Sequence, residues 1–124
     1  MIQGVVTDDY EAVINLTVFG KANHREPIEA VVDTGYNGWL SLPSSLIHDL
    51  ELPWLDRAQA ILADGSETTF DIHQAVVIWD RRRVMIPIDS SESTPLVGMR
   101  LLENFELTMK VRCDGQVEIR RMEE

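Results

Sequence analysis

The residues of this chain best suited to chemistry are Asp33, Thr34 and Gly35, which directly follow the apolar run 30–32. An apolar run bounded by turn signals is typical of a buried strand. A carboxylate at the end of such a strand lies at the margin of the core, where its charge must be hydrogen-bonded or shared with a partner. Glycine adopts backbone angles that other residues avoid, so Gly35 lets the chain turn sharply and orient the acid.

The same triplet also has an ordinary structural interpretation. Asp-Thr-Gly is short enough to arise by chance, and a strand followed by a simple turn accounts for it. Asn37-Gly38 adds a second turn signal soon afterwards. The choice between a plain turn and a chemically active acid therefore depends on the rest of the chain.

Composition limits the class of protein. The chain has 124 residues, a size typical of one domain, so we expect a single domain spanning residues 1–124. Hydrophobic residues make up 44% of the chain, which favours a packed core over disorder. The net charge of −10 repels phosphate and argues against nucleic-acid and anionic-membrane partners.

Cysteine content and hydropathy predict a cytoplasmic protein. The one cysteine, Cys113, cannot form an internal disulfide, which fits a reducing compartment. No apolar run approaches the roughly 18 residues that a membrane-spanning helix needs, and the N-terminus lacks a signal-peptide pattern. His24, His48 and His73, taken with Cys113, show no metal-ligand spacing, so neither a metal nor a cofactor is expected.

Alternating apolar residues predict a nearly all-β fold. Residues 12–19 indicate a strand whose buried face carries Ile14, Leu16 and Val18. Phe19 falls on the opposite face of that strand. Residues 105–112 alternate in the same way, and short helices are predicted after Pro43 and at residues 99–102. We therefore expect an all-β closed barrel or sandwich with one or two short helices.

Turn signals divide the middle of the chain into two hairpins. Asp64-Gly65 stands between the extended runs 58–63 and 68–72, a strong short-range hairpin signal. Residues 80–83 connect two further extended runs, and their three arginines fit a solvated turn better than an anion site. Residues 89–94 are predicted to be a polar loop.

The order of these features resembles the retroviral-type, single-lobe aspartic proteases, and more closely their small bacterial and archaeal relatives. Three motifs carry the resemblance: Asp33-Thr34-Gly35-Tyr36-Asn37-Gly38-Trp39-Leu40-Ser41-Leu42-Pro43, Ala63-Asp64-Gly65-Ser66, and Leu96-Val97-Gly98-Met99-Arg100-Leu101-Leu102. Each motif is weak alone, but their joint order is fairly specific and covers about residues 13–111. The resemblance implies a small retropepsin-like β domain in which one loop passes beneath another near the acid.

The resemblance also implies that catalysis needs two copies of the chain. Asp33 would be the catalytic acid, Thr34 would hydrogen-bond across a homodimer, and Gly35 would let the turn approach its twin. Two carboxylates a few ångströms apart cannot both be ionised, so the two share one proton. One then activates water while the other protonates the amide as it breaks. The terminal strands 2–6 and 117–121 are expected to pair across the two-fold axis.

Substrate-binding residues follow from the same resemblance. Tyr36 would shape the pocket beside the acid, and Val97 and Gly98 would pack behind the acid loop. The tip of a flap over the substrate would be formed by Ala63, Asp64, Gly65 and Ser66. Two features depart from the retroviral pattern. Tyr36 replaces the usual alanine or serine, and Asp64 puts a charge at the flap tip.

Two functions are compatible with these residues. The first is a homodimeric aspartic endopeptidase that hydrolyses peptide or protein substrates with an Asp33 dyad. The second is a non-catalytic dimeric module that binds peptides or regulates another protein with the same fold, since a groove under two flaps accommodates an extended peptide either way. The intact triplet favours the peptidase, because a chain without that chemistry has no evident need for an acid at a strand end.

Overall fold

The chain forms ten strands, two short α-helices and one turn of 3-10 helix at Lys21–Asn23 in the computed structural model, which describes residues 1–123. The strands are β1 (Ile2–Val6), β2 (Ala12–Phe19), β3 (Arg25–Val32), β4 (Leu40–Pro43), β5 (Trp54–Ile61), β6 (Glu67–Trp79), β7 (Arg82–Ser91), β8 (Leu96–Val97), β9 (Phe105–Met109) and β10 (Gln116–Arg121), and the helices are α1 (Ser44–Asp49) and α2 (Met99–Leu102). The predicted all-β class with two short helices is confirmed. Within the described residues, no helix has the length and apolar character needed to cross a membrane.

Six of the strands close into a ring. Around the ring they follow the order β2, β3, β8, β4, β7 and β6, and the ring closes where residues 17–19 of β2 pair with residues 76–78 of β6. Strand β5 extends the sheet beyond β6, while β1, β10 and β9 extend it beyond β2. The predicted closed barrel is therefore confirmed.

Apolar side chains fill the ring because they alternate along its strands. The predicted inward residues of β2 are buried: Ile14, Leu16 and Val18. Phe19, predicted to lie on the opposite face, is also buried and only 7% exposed. The guanidinium groups of Arg25 and Arg83 lie 5.2 and 4.5 Å from the centre of its ring and cover it from solvent.

Both predicted hairpins are present, but their arms are longer than the sequence suggests. The runs 68–72 and 75–79 belong to one strand of 13 residues, β6, which pairs with β5 at one end and with β7 at the other. The predicted loop at 89–94 begins as strand, because β7 continues to Ser91. Its last residues are held by parallel pairing with β4.

The terminal strands lie inside the sheet. Strand β1 runs between β2 and β10, and β10 runs between β1 and β9. Pairing within the chain already occupies both sides of the central part of each of these strands, so the expectation that they pair with a second chain is wrong. Among residues 1–123 the outermost strands of the sheet are β5 and β9.

Candidate active site

Asp33 lies where two parallel strands end together. Val31 and Val32 of β3 pair with Leu96 and Val97 of β8, and the Asp33 amide continues the ladder by donating to the Val97 carbonyl at 2.9 Å. The β-branched residues before the acid favour this extended conformation. Asp33 is consequently fixed by its backbone at the margin of the barrel, while its side chain remains partly exposed.

A tight turn orients the Asp33 carboxylate. The Gly35 amide donates to Oδ1 of Asp33 at 2.9 Å, and the Tyr36 amide donates to the Asp33 carbonyl at 3.2 Å. Thr34 and Gly35 form the exposed tip of this turn. The turn therefore holds one carboxylate oxygen and places Thr34 and Gly35 at the surface.

The segment from β8 into α2 packs against the loop of residues 33–39, called the acid loop here. Gly98 donates its amide hydrogen to the Trp39 carbonyl at 3.0 Å, and Met99 donates to the Tyr36 carbonyl at 2.8 Å. Arg100 donates to the carbonyl of Gly38 at 3.1 Å. Three successive amides thus bind three carbonyls of the loop, and this pairing brings Val97 and Gly98 against it.

Tyr36 packs across this junction. A Cβ atom built on Gly98 would lie 2.6 Å from Cδ2 of the Tyr36 ring, and one built on Gly38 would collide with the other end of the same ring. The phenol donates a hydrogen bond of 2.5 Å to Oδ2 of Asp89. Burial raises the pKa of the Tyr36 phenol, and the hydrogen bond to Asp89 and the charge of that carboxylate raise it further.

We expect position 98 to require glycine, because no space is left for a larger side chain. Its φ of −100° is open to any residue, but an added Cβ would overlap the backbone carbonyl of Gly38. We expect Gly98→Ala to lower the free energy of unfolding by about 2 kcal/mol or more, as overpacking of a tight junction does. Chemical denaturation measures the change. Thr34→Ala, an exposed change in the same loop, should shift stability by no more than about 0.5 kcal/mol, and equal effects would contradict the crowding.

A hollow of about 600 Å³ opens beside the acid loop. Its lining comes from the acid loop, from β4 and the start of α1, from residues 68–71 of β6, from the end of β7 with the residues after it, and from the start of β8: Tyr36, Ser41, Ser44, Thr68, Thr69, Phe70, Asp71, Asp89, Ser90, Ser91, Glu92, Ser93 and Leu96. A volume of this size is typical of small-molecule and side-chain pockets. Tyr36 and Asp89 thus belong to one groove beside the turn that carries Asp33, although Asp33 itself is not among the lining residues.

The β5–β6 hairpin ends in an exposed tip made of the predicted flap residues. The Asp64 Oδ1 atom accepts hydrogen bonds from the Ser66 hydroxyl at 2.6 Å and the Ser66 amide at 2.9 Å, and these bonds lower the pKa of Asp64. Gly65 has a φ of +86°, which favours glycine. Residues 63–66 at the tip do not line the hollow, whereas residues 68–71 of the β6 arm do.

The structure thus brings together one part of the predicted site. The acid loop and the pair Val97-Gly98 are in direct contact, while residues 63–66 at the hairpin tip make no backbone hydrogen bond to either and do not line the groove. Sequence reasoning missed Asp89, Phe70 and Leu96 as groove residues. Asp89 ends the alternation of β7 with an acid, which is a weak signal, and no local pattern indicated that it would meet Tyr36.

A second hollow, of about 520 Å³, lies away from the acid loop. Its walls come from the end of β2, from β6 and β7 and from the segment after α1, and they include Phe19, Pro53 and Met85. It shares no lining residue with the groove beside Tyr36. No predicted site residue belongs to it.

Comparison with known proteins identifies the fold. A retropepsin-like aspartic protease from Rickettsia conorii is similar in structure, with a TM-score of 0.60 and 20% sequence identity over 96% of this chain and 88% of that one. The Simian foamy virus (mac) protease is also similar, with a TM-score of 0.51 and 18% identity over 71% of this chain and 90% of that one. No protein-family model and no curated protein matches the sequence. These structural likenesses, together with the closed ring and the acid at the end of β3, show that the chain has the retropepsin-like fold of aspartic proteases.

Proposed function

We propose that the protein is a homodimeric aspartic endopeptidase in which Asp33 of each chain contributes one catalytic carboxylate. The observation that carries the proposal is the position of Asp33 at the end of β3, in a loop whose carbonyls accept hydrogen bonds from three amides of the β8–α2 segment. The groove beside Tyr36 and the hairpin next to it provide a place for the peptide. The structural likeness to two aspartic proteases agrees with this chemistry.

One chain supplies only half of the catalytic pair. The second copy would pack on the exposed surface around the acid. Its exposed residues are Thr34, Gly35, Asn37, Met99 and Arg100. A two-fold axis through this surface would bring the two Asp33 turns together, with Thr34 available to hydrogen-bond across the interface.

The proposed reaction is hydrolysis by a water molecule held between the two acids. The ionised carboxylate takes a proton from water, and the oxygen attacks the carbonyl carbon of the peptide bond. The protonated carboxyl donates its proton toward the substrate, and the amide nitrogen leaves as an amine once it is protonated. The two Asp33 residues share one proton at the start and again at the end, so the pair is regenerated without a cofactor.

The hairpin would cover the bound peptide. Ile61 and Leu62, at the start of the tip, are 76% and 49% exposed, although both are large apolar residues. Exposed apolar groups on a projecting hairpin favour a role in covering a partner. An extended peptide beneath the hairpin could also bind by main-chain hydrogen bonds. We place this activity in the cytoplasm, on the strength of the single cysteine and the reducing compartment that it fits.

A digest of a peptide library tests the proposal. Purified protein is incubated with the library from acidic to neutral pH, and the products are identified by mass spectrometry. A shared-proton pair predicts a bell-shaped rate profile, because hydrolysis stops when both acids are protonated and also when both are ionised. A dimer that cuts no peptide at any pH would overturn the peptidase and leave a non-catalytic peptide-binding module.

A further inference from the structure

The groove beside the acid loop carries an uneven distribution of charge. Its lining includes Asp71, Asp89 and Glu92 but neither lysine nor arginine. Asp71 is already paired, since the Arg57 Nε atom lies 3.3 Å from its carboxylate and the Trp54 indole donates to the same oxygen. Glu92 accepts a hydrogen bond of 2.8 Å from the Ser44 hydroxyl, and it is exposed. Of the three acids, Asp89 is the one held by the acid loop itself.

Asp89 has one oxygen engaged and one available. The Tyr36 phenol donates to Oδ2, and among residues 1–123 no donor reaches Oδ1. Oδ1 is also accessible to solvent. Among residues 1–123 the one fully buried polar side-chain atom without a hydrogen-bond partner is Nε1 of Trp79, so the unpartnered Oδ1 is not fully buried. The carboxylate is thus fixed on one side by Tyr36, and its other oxygen has no donor among residues 1–123 and is not fully buried.

The surroundings of Asp89 fit a long cationic side chain. The Tyr36 and Phe70 rings and the Leu96 side chain supply apolar surface along the groove. Lysine and arginine place their methylene stems on such surface while the charged head reaches a carboxylate. The net charge of −10 also attracts cationic peptides to the chain as a whole.

We propose that Asp89 selects a lysine or arginine side chain at one position of the bound substrate. This inference rests on the proposed function, because it names the peptide that the candidate active site would accept. The cationic group of the substrate donates a charge-assisted hydrogen bond to Oδ1 of Asp89, while Tyr36 continues to hold Oδ2. Asp89 acts as a specificity-determining residue and takes no part in the proton transfers.

Paired peptide substrates test the selection. Each pair is identical except that one member has arginine and the other glutamine at a single position, and every position on both sides of the cleaved bond is scanned. At one position kcat/KM should favour arginine by about tenfold or more, the range of a hydrogen bond to a charged group. In Asp89→Asn the preference at that position should fall to about threefold or less, since an amide oxygen carries no net charge.

Three further variants separate specificity from support of the loop. Asp8→Asn makes the same charge change at an exposed turn outside the groove and should keep the arginine preference. Tyr36→Phe removes the phenol but leaves the Asp89 carboxylate, so it should also keep the preference. If Asp89 serves only to position Tyr36, Tyr36→Phe will lose the preference as Asp89→Asn does. Asp89→Glu keeps the negative charge and should retain part of the arginine preference, even if Asp89→Asn folds poorly.

The outcomes distinguish this inference from the proposed function. If the wild type cuts peptides with no position that prefers arginine, the selection is overturned and the peptidase stands. If the wild type cuts nothing, the proposed peptidase activity is wrong, and peptide binding then tests whether Asp89 selects a cationic side chain. A labelled nine-residue peptide with a central arginine should bind at least about tenfold more tightly than its glutamine counterpart, and Asp89→Asn should remove the difference. Equal binding of the two peptides to the wild type would overturn it.

Discussion

Replacement of Asp33 by asparagine is expected to lower kcat for peptide hydrolysis on the order of 10³-fold or more while the protein stays folded. An amide can neither take a proton from water nor hold the proton that the two acids share. The fold should tolerate the change, because asparagine has the same shape and its oxygen can still accept the hydrogen bond that Gly35 donates to Oδ1. Activity against the best library peptide and thermal unfolding of both proteins measure the two effects.

Two control experiments separate loss of the catalytic acid from other causes of lost activity. Asp8→Asn, an exposed turn acid, should retain the wild-type rate, so a general effect of lost charge is excluded. A peptide that carries a hydroxyl in place of the cleaved carbonyl should bind the wild type far more tightly than Asp33→Asn, because it resembles the transition state between the two acids. Equal hydrolysis by wild type and Asp33→Asn would show that the activity lies elsewhere or comes from a contaminant.

Much of the barrel could be predicted because local sequence and tertiary packing agree in it. A strand with one buried face must place every second side chain in the core, and Ile14, Leu16 and Val18 of β2 follow that rule, although Phe19 is buried as well. The Asp64-Gly65 turn needs a positive φ, which glycine supplies. These signals act within a few residues of one another, so a single sequence is enough to identify them.

The groove could not be predicted because its contacts join distant parts of the chain. Tyr36 and Asp89 are 53 residues apart, and no local pattern selects tyrosine's partner. The prediction that the terminal strands pair with a second chain failed for a related reason, since an alternating strand fits the interior of a sheet as well as its edge. Only the register that places β10 between β1 and β9 decides the matter, and that register is a long-range property.

The rate per chain is expected to collapse when the protein is diluted below the dissociation constant of its dimer. If each chain holds one carboxylate, only the dimer has a working pair, and the concentration of dimer falls as the square of the concentration of free chain. Specific activity should then drop about tenfold for each tenfold dilution in that range. Analytical ultracentrifugation over the same concentrations shows whether the loss of activity follows the loss of dimer.

Mixing of subunits tests the same pair without dilution. When wild type and Asp33→Asn chains exchange in equal amounts, about a quarter of the dimers should carry two Asp33 carboxylates. Hydrolysis per wild-type chain should therefore fall by about half, and a large excess of the variant should abolish it. An equal excess of Asp8→Asn chains, which keep Asp33, should add activity. A chain that sediments as a monomer and keeps a constant rate per chain at every dilution would show that a single Asp33 is enough, and the two-carboxylate mechanism would then be wrong.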